Sequence, residues 1–406
     1  MSLALALVAC GGAASWSTSA PEAGEGTSPA APIPAPWRSA DSAVAEVWLD
    51  VERPPAQQPS PVRMEWLEVR GFAGSRQHAA YDVAIAIDVS GSTRYASGAD
   101  VNGNGLVGVR RAWKPWEVWS PLFDCSDPGD SVLDAELAAV GELIDRLDPR
   151  RTRIALLSFS DRAELREPLG GSREHFGQVL EQLDDAFGAG ATNLAEATRL
   201  ATRVLVEGGA AGASPDRVLL VLSDGDPNVP PPQARAAEAA LEAAAEAHEA
   251  GVRISTFALG PAIRSDPDVY AQLASITGGE HVRVATPGDV LHALPRIDLA
   301  RVAGIEIVNL TTGQAARALR VRPDGAFDAY LKLVPGENQL RVTALGRAGD
   351  RVSVDRKVVF DDRLPPDPSA VAEVRKAIEL RTLELELERE ARAGRQRKRL
   401  EIETSP

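Results

Sequence analysis

A regular alternation of apolar strands and helical patterns begins at Tyr81, and it is the strongest constraint on the fold of this chain. Residues 81–87 read Tyr-Asp-Val-Ala-Ile-Ala-Ile, and comparable apolar runs recur at 154–159, 218–222 and 252–259. Helical patterns lie between these runs, at 132–147, 172–184, 193–207 and 233–250. Near-continuous apolar strands are typical of a parallel sheet that helices cover on both faces. The alternation therefore predicts a doubly wound α/β domain, whose ligands bind at the carboxyl ends of the strands.

Strand patterns without helices lie on both sides of this region. Residues 43–75 contain an alternating run and a second candidate strand, separated by a proline-rich loop. Residues 300–363 contain several short apolar runs separated by turn signals such as Asp324-Gly325 and Pro335-Gly336. Each group is too small for a good sandwich, but together they supply about seven strands, as in an immunoglobulin-like sandwich. We therefore expect a discontinuous sandwich with the α/β domain inserted, the alternative being an α/β domain followed by a sandwich.

These patterns divide the chain into six predicted segments. They are a signal-like segment (1–10), a disordered tether (11–42), the first sandwich strands (43–75), the α/β domain (80–299) with an insert at 94–131, the remaining sandwich (300–363) and a charged helix (367–403). The last segment is rich in Ala, Glu, Leu and Arg, which favours a helix. Its apolar residues hold no clean heptad, so we expect a solvated helix and not a coiled coil.

The amino-terminal segment contains a short apolar run followed by Leu7-Val8-Ala9-Cys10-Gly11. This run resembles the lipobox of bacterial lipoproteins, in which the cysteine becomes acylated. It departs from that pattern because no Lys or Arg precedes the apolar run, which is also short. The resemblance implies an exported protein, held at the bacterial cell envelope by a lipid on Cys10. The alternative is a chance cysteine in a disordered tail.

The charge of the chain restricts the partners that it can bind. The formal net charge is -14 over 406 residues. A nucleic-acid-binding protein needs a basic surface to displace counterions from phosphates, so nucleic acid is a poor candidate partner. A cation is a better one. The two cysteines, Cys10 and Cys125, are too few for a disulfide framework or a zinc site.

Oxygen-bearing side chains follow the apolar strands at three places. The first strand ends in Asp88-Val89-Ser90-Gly91-Ser92, a later helix opens with Gly190-Ala191-Thr192-Asn193, and the strand at 218–222 ends in Ser223-Asp224-Gly225. Because strand ends converge at one edge of a parallel sheet, these side chains should meet there. Carboxylate and hydroxyl oxygens suit a hard cation such as Mg²⁺, which takes six oxygens. The alternative is that these side chains cap turns and helices.

These motifs together resemble the metal-ion-dependent adhesion site of von Willebrand factor type A domains, over roughly residues 80–297. The resemblance implies five metal-coordinating residues: Asp88, Ser90, Ser92, Thr192 and Asp224. It implies Mg²⁺ or Mn²⁺ as the ion, and a protein ligand that presents an acidic residue to complete the metal shell. The expected function is metal-dependent protein binding or adhesion at the cell envelope, without enzymatic activity.

Two other functions are compatible with the same residues. One is a structural envelope scaffold, in which the ion stabilises the fold and binds no ligand. The other is a metal-dependent phosphatase of the haloacid dehalogenase type, but that class needs a second Asp where this chain has Ser90. The sequence contains no phosphate-binding loop, H-E-x-x-H motif or nucleophile elbow. An enzyme is therefore the weaker hypothesis.

The insert contains a second candidate ion site. The run Asp100-Val101-Asn102-Gly103-Asn104-Gly105 resembles the start of an EF-hand calcium loop, with oxygen side chains at Asp100, Asn102 and Asn104. Arg111 stands where that loop has its bidentate Glu, so Ca²⁺ would need a further ligand from Asp124, Asp127 or Asp130. The alternative is a simple Asn-Gly turn.

Overall fold

The computed structural model describes residues 47–57, 61–75, 80–110, 125–184, 190–208, 215–265, 268–363 and 365–404. The predicted signal-like segment, Cys10 and the predicted tether lie outside these described residues, and so does the middle of the insert. The expectations for acylation of Cys10 and for the tether therefore stay predictions.

The strands fall into three sheets. In chain order they are β1 (Val47–Arg53), β2 (Trp66–Ser75), β3 (Tyr81–Asp88), β4 (Thr152–Phe159), β5 (Ala163–Glu167), β6 (Asp216–Ser223), β7 (Val252–Leu259), β8 (His281–Val284), β9 (Val302–Asn309), β10 (Gln314–Ala315), β11 (Arg317–Val321), β12 (Ala326–Lys332), β13 (Gly336–Gly346) and β14 (Arg351–Phe360).

The helices are α1 (Val132–Arg146), α2 (Arg173–Asp184), α3 (Leu194–Glu207), α4 (Gln233–Glu249), α5 (Val269–Thr277), α6 (Val290–Ala293) and α7 (Pro368–Thr404). A single 3₁₀ turn, Gly91–Arg94, follows β3. Ser131 caps α1 with a reciprocal hydrogen-bond pair to Asp134, which satisfies two backbone donors that the helix start would leave free. Gly251 follows α4 with a φ of 73°, a left-handed conformation that glycine adopts without steric cost.

The central sheet has six strands in the order β5-β4-β3-β6-β7-β8. All pair in parallel except β5, which is antiparallel to β4 at one edge. The predicted parallel sheet is therefore confirmed. The sequence reading missed β5 and β8, because these short edge strands are mostly polar and partly exposed and so lack a long apolar run.

Helices cover both faces of this sheet, and alternate residues of β3 face opposite ways. Ile85 and Ile87 belong to the core cluster that includes apolar residues of α1, α2 and α6. Ala84 and Ala86 belong to a second cluster with apolar residues of α3, α4 and α5. All four side chains are fully buried. This is the doubly wound arrangement, which leaves the two ends of the strands as the accessible edges of the sheet.

The remaining strands form two four-stranded sheets, ordered β1-β2-β12-β11 and β10-β9-β13-β14. Their inner faces share one core, in which Val69 and Phe327 of one sheet cluster with Ile307 and Val342 of the other. β2 pairs with β12 from Phe72↔Ala326 to Trp66↔Lys332. Strands from before and after the α/β domain thus lie side by side, so this domain is inserted between β2 and β9. The predicted fold class is confirmed, whereas the likeness of the sandwich to an immunoglobulin domain stays a prediction.

The sandwich contacts the α/β domain at the amino ends of the central strands. Asp324, in the turn between β11 and β12, accepts hydrogen bonds from Asp148 N at 2.6 Å and from Thr152 Oγ1 at 3.1 Å. The Arg151 guanidinium lies 3.9 Å from the centroid of the Phe72 ring and donates to Asp50 at 2.8 Å. We call this set of contacts the basal joint. It leaves the carboxyl ends of the strands free.

The long helix α7 packs on the sandwich through Arg381, which pairs with Asp328 of β12 and lies 5.3 Å from the centroid of the Tyr330 ring. Leu380, Leu383 and Leu387 are exposed along this helix. Of the helices in the described parts of the chain, none has the length and apolar character that a bilayer crossing requires.

Candidate metal centre

The predicted metal ligands lie at the carboxyl edge of the central sheet. Asp88 is the last residue of β3, and Asp224 directly follows β6. These two strands are neighbours, with Ile87 paired to Leu222, so the two aspartates lie within one residue of the same level. Thr192 comes just before Asn193, the N-cap of α3. Local fold therefore directs all these side chains to one crevice.

A chain of hydrogen bonds connects the ligands that follow β3 and β6. The Asp88 carboxylate accepts a bond from Ser90 N at 2.8 Å. Ser90 Oγ lies 3.2 Å from Ser92 Oγ, and Ser92 Oγ donates to Asp224 Oδ1 at 2.6 Å. The 3₁₀ turn that carries Ser92 thus folds the D-x-S-x-S segment back over the end of the sheet, and four of the predicted ligands form one connected cluster.

Thr192 reaches the same crevice from the opposite side. Its backbone N–H donates to Asn228 Oδ1 at 2.8 Å, and its carbonyl accepts from Asn228 N at 3.1 Å, which fixes the loop. A Cβ atom placed on Gly225 would lie 3.6 Å from Thr192 Oγ1 and 3.7 Å from Ser92 Oγ. The two hydroxyls therefore flank the small space that Gly225 leaves open. The structure brings all five predicted ligands together.

Burial makes this crevice unfavourable for negative charge. Asp88 is fully buried and Asp224 is 4% exposed. Burial raises the pKa of both carboxyls above the ordinary aspartate range, and the charge of Asp88 raises the pKa of Asp224 further. Hydrogen bonds from Ser223 and Ser90 to Asp88 act in the opposite direction. Two like charges so close together in a low-dielectric environment repel unless a cation lies between them.

Ser223 and Tyr270 support the crevice from below, and the sequence reading missed both roles. Ser223 Oγ donates to Asp88 Oδ2 at 2.6 Å. The hydroxyl of Tyr270, a fully buried residue of α5, donates to the Gly225 carbonyl at 2.6 Å and lies 2.8 Å from Ser223 Oγ. The position of Ser223 directly before Asp224 was the one sequence feature that could have indicated its role. Tyr270 had none, because α5 itself was not predicted.

Glu136 is the third buried carboxylate near this crevice and was also missed. It lies on α1, is fully buried, and both of its carboxylate oxygens lack a hydrogen-bond partner. Burial raises its pKa well above the ordinary value, and the charges of Asp88 and Asp224 add to this effect. Among the described residues, no basic side chain is one of the groups that shift the pKa of these three carboxylates.

The donor set fits a hard divalent cation. Within the described segments, no three His, Cys, Asp or Glu side chains are grouped closely enough to hold a metal by themselves. An ion at this edge would therefore depend on the hydroxyls of Ser90, Ser92 and Thr192 as well as on the two aspartates. Mixed hydroxyl and carboxylate oxygens are ligands of the kind that Mg²⁺ and Mn²⁺ prefer.

The second predicted ion site is a compact turn in the insert. The Asp100 carboxylate accepts from Asn104 N at 3.1 Å and from Gly105 N at 2.9 Å, and Asn102 Oδ1 accepts from Asn104 N at 3.0 Å. Asn104 Nδ2 donates to Asp127 at 2.9 Å, which places Asp127 beside the loop. The three predicted ligands and Asp127 are thus close together, and calcium binding there stays a prediction.

The other acids proposed for this loop differ in their placement. The buried Asp130 carboxylate accepts from Val101 N at 2.7 Å, from Asn102 N at 3.3 Å and from Gly108 N at 2.8 Å, so it holds the backbone of the insert. Asp124 lies outside the described residues.

Comparison with known structures finds similar but distant folds. The conserved hypothetical protein BatB from Bacteroides thetaiotaomicron is 19% identical, with 53% of this chain and 95% of that chain covered and a TM-score of 0.35. Proximal thread matrix protein 1 from the mussel byssus, described with a zinc-occupied MIDAS motif, is 14% identical, with 53% and 46% covered and a TM-score of 0.37. The PilB minor pilin from Streptococcus sanguinis is 10% identical, with 61% and 76% covered and a TM-score of 0.36.

A family model gives the more specific result. Residues 122–296 match the model of the von Willebrand factor type A domain. The match begins after the D-x-S-x-S segment, so the place of Asp88, Ser90 and Ser92 rests on the sheet geometry described above. It does include Thr192, Asp224 and most of the doubly wound sheet. Residues 122–296 are thus similar to the von Willebrand factor type A domain, and the α/β domain that contains them has a fold of that type.

Proposed function

We propose that this chain is a protein-binding module whose binding depends on a divalent cation at the carboxyl edge of the central sheet. The observation that carries the proposal is the crevice itself. Two buried aspartates, Asp88 and Asp224, meet three hydroxyls there. Two carboxylates are costly to bury without a cation to compensate their charge, so the crevice is well suited to binding one.

The donor chemistry favours an ion that keeps affinity for a further ligand. Hydroxyls are neutral donors, so they compensate less of the ion's charge than carboxylates would. Ser92 and Gly225 are partly exposed, which gives a partner access to the crevice from solvent. An Asp or Glu carboxylate of a partner protein is the group expected to bind an ion there. This access favours a binding site over a purely structural ion.

We propose binding and not phosphoryl transfer. In a haloacid dehalogenase-type phosphatase, a second aspartate stands two residues after the nucleophile, and here that position is Ser90. Ser90 Oγ lies 3.2 Å from Ser92 Oγ and belongs to the hydroxyl cluster. An assay with a generic phosphoester and Mg²⁺ tests this point directly, and turnover that disappears in Asp88→Asn would support the enzyme instead.

We further propose that the module acts at the bacterial cell envelope, anchored by a lipid on Cys10. The lipobox-like sequence and the low-complexity segment after it support this location. The Cys10→Ala variant should move from the membrane fraction to the soluble fraction. An unmodified Cys10 in native protein from a membrane-free fraction would contradict the anchor and leave the metal site unaffected.

The binding proposal is tested by a pull-down from envelope extract with and without chelator. The Asp224→Ala variant removes an anionic oxygen from the crevice and should lose the partners that wild type retains in Mg²⁺ or Mn²⁺. Glu238→Ala is the matched control, because it removes one acidic charge from an exposed position on α4. Chelator should mimic Asp224→Ala, and added Mg²⁺ should restore only wild type and the control. Equal retention of a partner by wild type and by Asp224→Ala in chelator would show that binding does not use the ion.

A further inference from the structure

Glu136 occupies an unusual position for an acidic side chain. It lies in the second turn of α1, on the face that packs against the central sheet between the apolar residues Leu133 and Val140 of the same core. It is fully buried, and neither carboxylate oxygen has a hydrogen-bond partner. Most buried carboxylates in proteins are paired or hydrogen-bonded, because a buried charge without compensation is strongly unfavourable. A bound cation would compensate the charge of this side chain, which has no hydrogen-bond partner among the described residues.

The fold places Glu136 in the core beneath the carboxyl end of β3, because its helix neighbours Leu133 and Val140 cluster with Ile87 and Val89. The start of α1 is joined to the 3₁₀ turn that carries Ser92, because Val132 N donates to Tyr95 O at 2.8 Å just after that turn. The charges that act on Glu136 are those of Asp88 and Asp224. The described residues contain no group of three acids close enough to ligate one ion, so Glu136 stands near the ligands without being one of them.

We propose that Glu136 is a positioning residue of the ion site, which loses its proton when the cation binds and then contributes a third negative charge close to Asp88 and Asp224. This inference rests on the proposed metal-dependent function and adds a residue that sets the affinity for the ion. A negative charge close to the direct ligands strengthens cation binding, and loss of a carboxylate from the surroundings of a metal site typically weakens metal affinity by roughly 10- to 100-fold. The role is electrostatic and does not require contact with the protein partner.

Calorimetric titration of the purified full chain with Mn²⁺ and with Mg²⁺ tests this role. The Glu136→Gln variant keeps the size of the side chain and removes the charge, so affinity for either ion should fall by about 10-fold or more. Glu136→Asp keeps the charge on a side chain one methylene shorter, so it should recover part of that loss. The expected order of affinity is Glu, then Asp, then Gln. A packing role predicts the opposite order for the two variants, because Gln preserves volume and Asp does not.

Glu142→Gln is the matched control, since it removes an acidic charge from the exposed face of the same helix, where Glu142 pairs with Arg146 at 2.6 Å. It should titrate like wild type. Glu136→Gln with wild-type affinity would overturn the inference, and so would a Glu136→Gln protein that fails to fold in chelator, because the residue would then serve the fold itself. If wild type binds neither ion, the proposed ion site fails as a whole. If wild type binds and Glu136→Gln binds equally, only the role of Glu136 fails.

Discussion

The effect of a substitution in the basal joint on the free energy of unfolding can be predicted, because one side chain, Asp324, makes most of the buried polar contacts there. Asp324 is 1% exposed and accepts three hydrogen bonds: from Asp148 N at 2.6 Å, from Thr152 Oγ1 at 3.1 Å and from Ala326 N at 3.3 Å. The Asp324→Ala variant leaves the first two donors buried without an acceptor. Each buried unsatisfied donor costs about 1–3 kcal/mol, so the gross cost is roughly 2–6 kcal/mol.

Part of this cost is offset by the removal of a buried charge. Burial raises the pKa of Asp324, which shows that its surroundings disfavour the ionised form despite the hydrogen bonds. We therefore expect a net loss of about 3 kcal/mol in the free energy of unfolding for Asp324→Ala. Asp324→Asn retains one carbonyl oxygen, which can keep the two shorter bonds, and gives up the longest one. Its expected loss is about 1 kcal/mol.

Urea denaturation followed by both circular dichroism and tryptophan fluorescence measures these losses. The order wild type, Asn, Ala is the diagnostic result, together with unchanged metal affinity, because the joint lies at the opposite end of the strands from the ion crevice. An Asp324→Ala protein with the unfolding midpoint of wild type would refute the reasoning. An Asn variant as unstable as the Ala variant would show that charge, and not hydrogen bonding, holds the joint.

Three further predictions concern the ion sites. In chelator, the raised pKa values of Asp88 and Asp224 mean that the folded state keeps protons which the unfolded state has already released. The stability that this proton uptake gives the folded state is therefore lost as pH rises above about 4. Asp224→Asn removes one of the two titrating groups, so it should reduce the difference in Tm between about pH 5 and pH 8. Gly225→Ala places a methyl group 3.6 Å from Thr192 Oγ1, which is an ordinary contact, so the protein should fold normally. The methyl group takes up space between the two hydroxyls, so Mn²⁺ should bind more weakly. Equal Mn²⁺ titrations of the variant and wild type would contradict this. Asp100→Ala should remove one calcium-binding event from a calorimetric titration, and identical titrations would leave the loop a simple turn.

The central part of the fold was predictable because its signals are local and repeated. Each long strand of the α/β domain has an apolar run, and each predicted ligand directly follows such a run or opens a helix, as Asp88 and Asp224 do. The spacing alone could therefore place them at one edge of the sheet. The edge strands β5 and β8 were missed because one face of an edge strand meets solvent, which removes the continuous apolar pattern.

Glu136 and Tyr270 could not be found in this way, for different reasons. A glutamate within a helical pattern is normally assigned to the exposed face, since Glu is a good helix former and is rarely buried. Only the packing of α1 against the sheet shows that this one is inside. Tyr270 supports the crevice through its terminal hydroxyl, which reaches the Gly225 carbonyl from a distant helix. Such a contact depends on the tertiary arrangement and leaves no pattern in the sequence.

The insertion of the α/β domain has a mechanical consequence. The chain enters this domain at Tyr81 and leaves it near Leu299. Both points lie at the amino ends of the strands: Tyr81 N donates to Arg151 O, and the Arg253 guanidinium donates to Leu299 O. The ion crevice lies at the far end of β3, whose eight residues span about 26 Å. Tension from a captured partner would therefore pass down the sheet to two adjacent anchor points. The covalent chain is not stretched from one terminus of the domain to the other, so a pull on the crevice does not peel the strands apart in sequence.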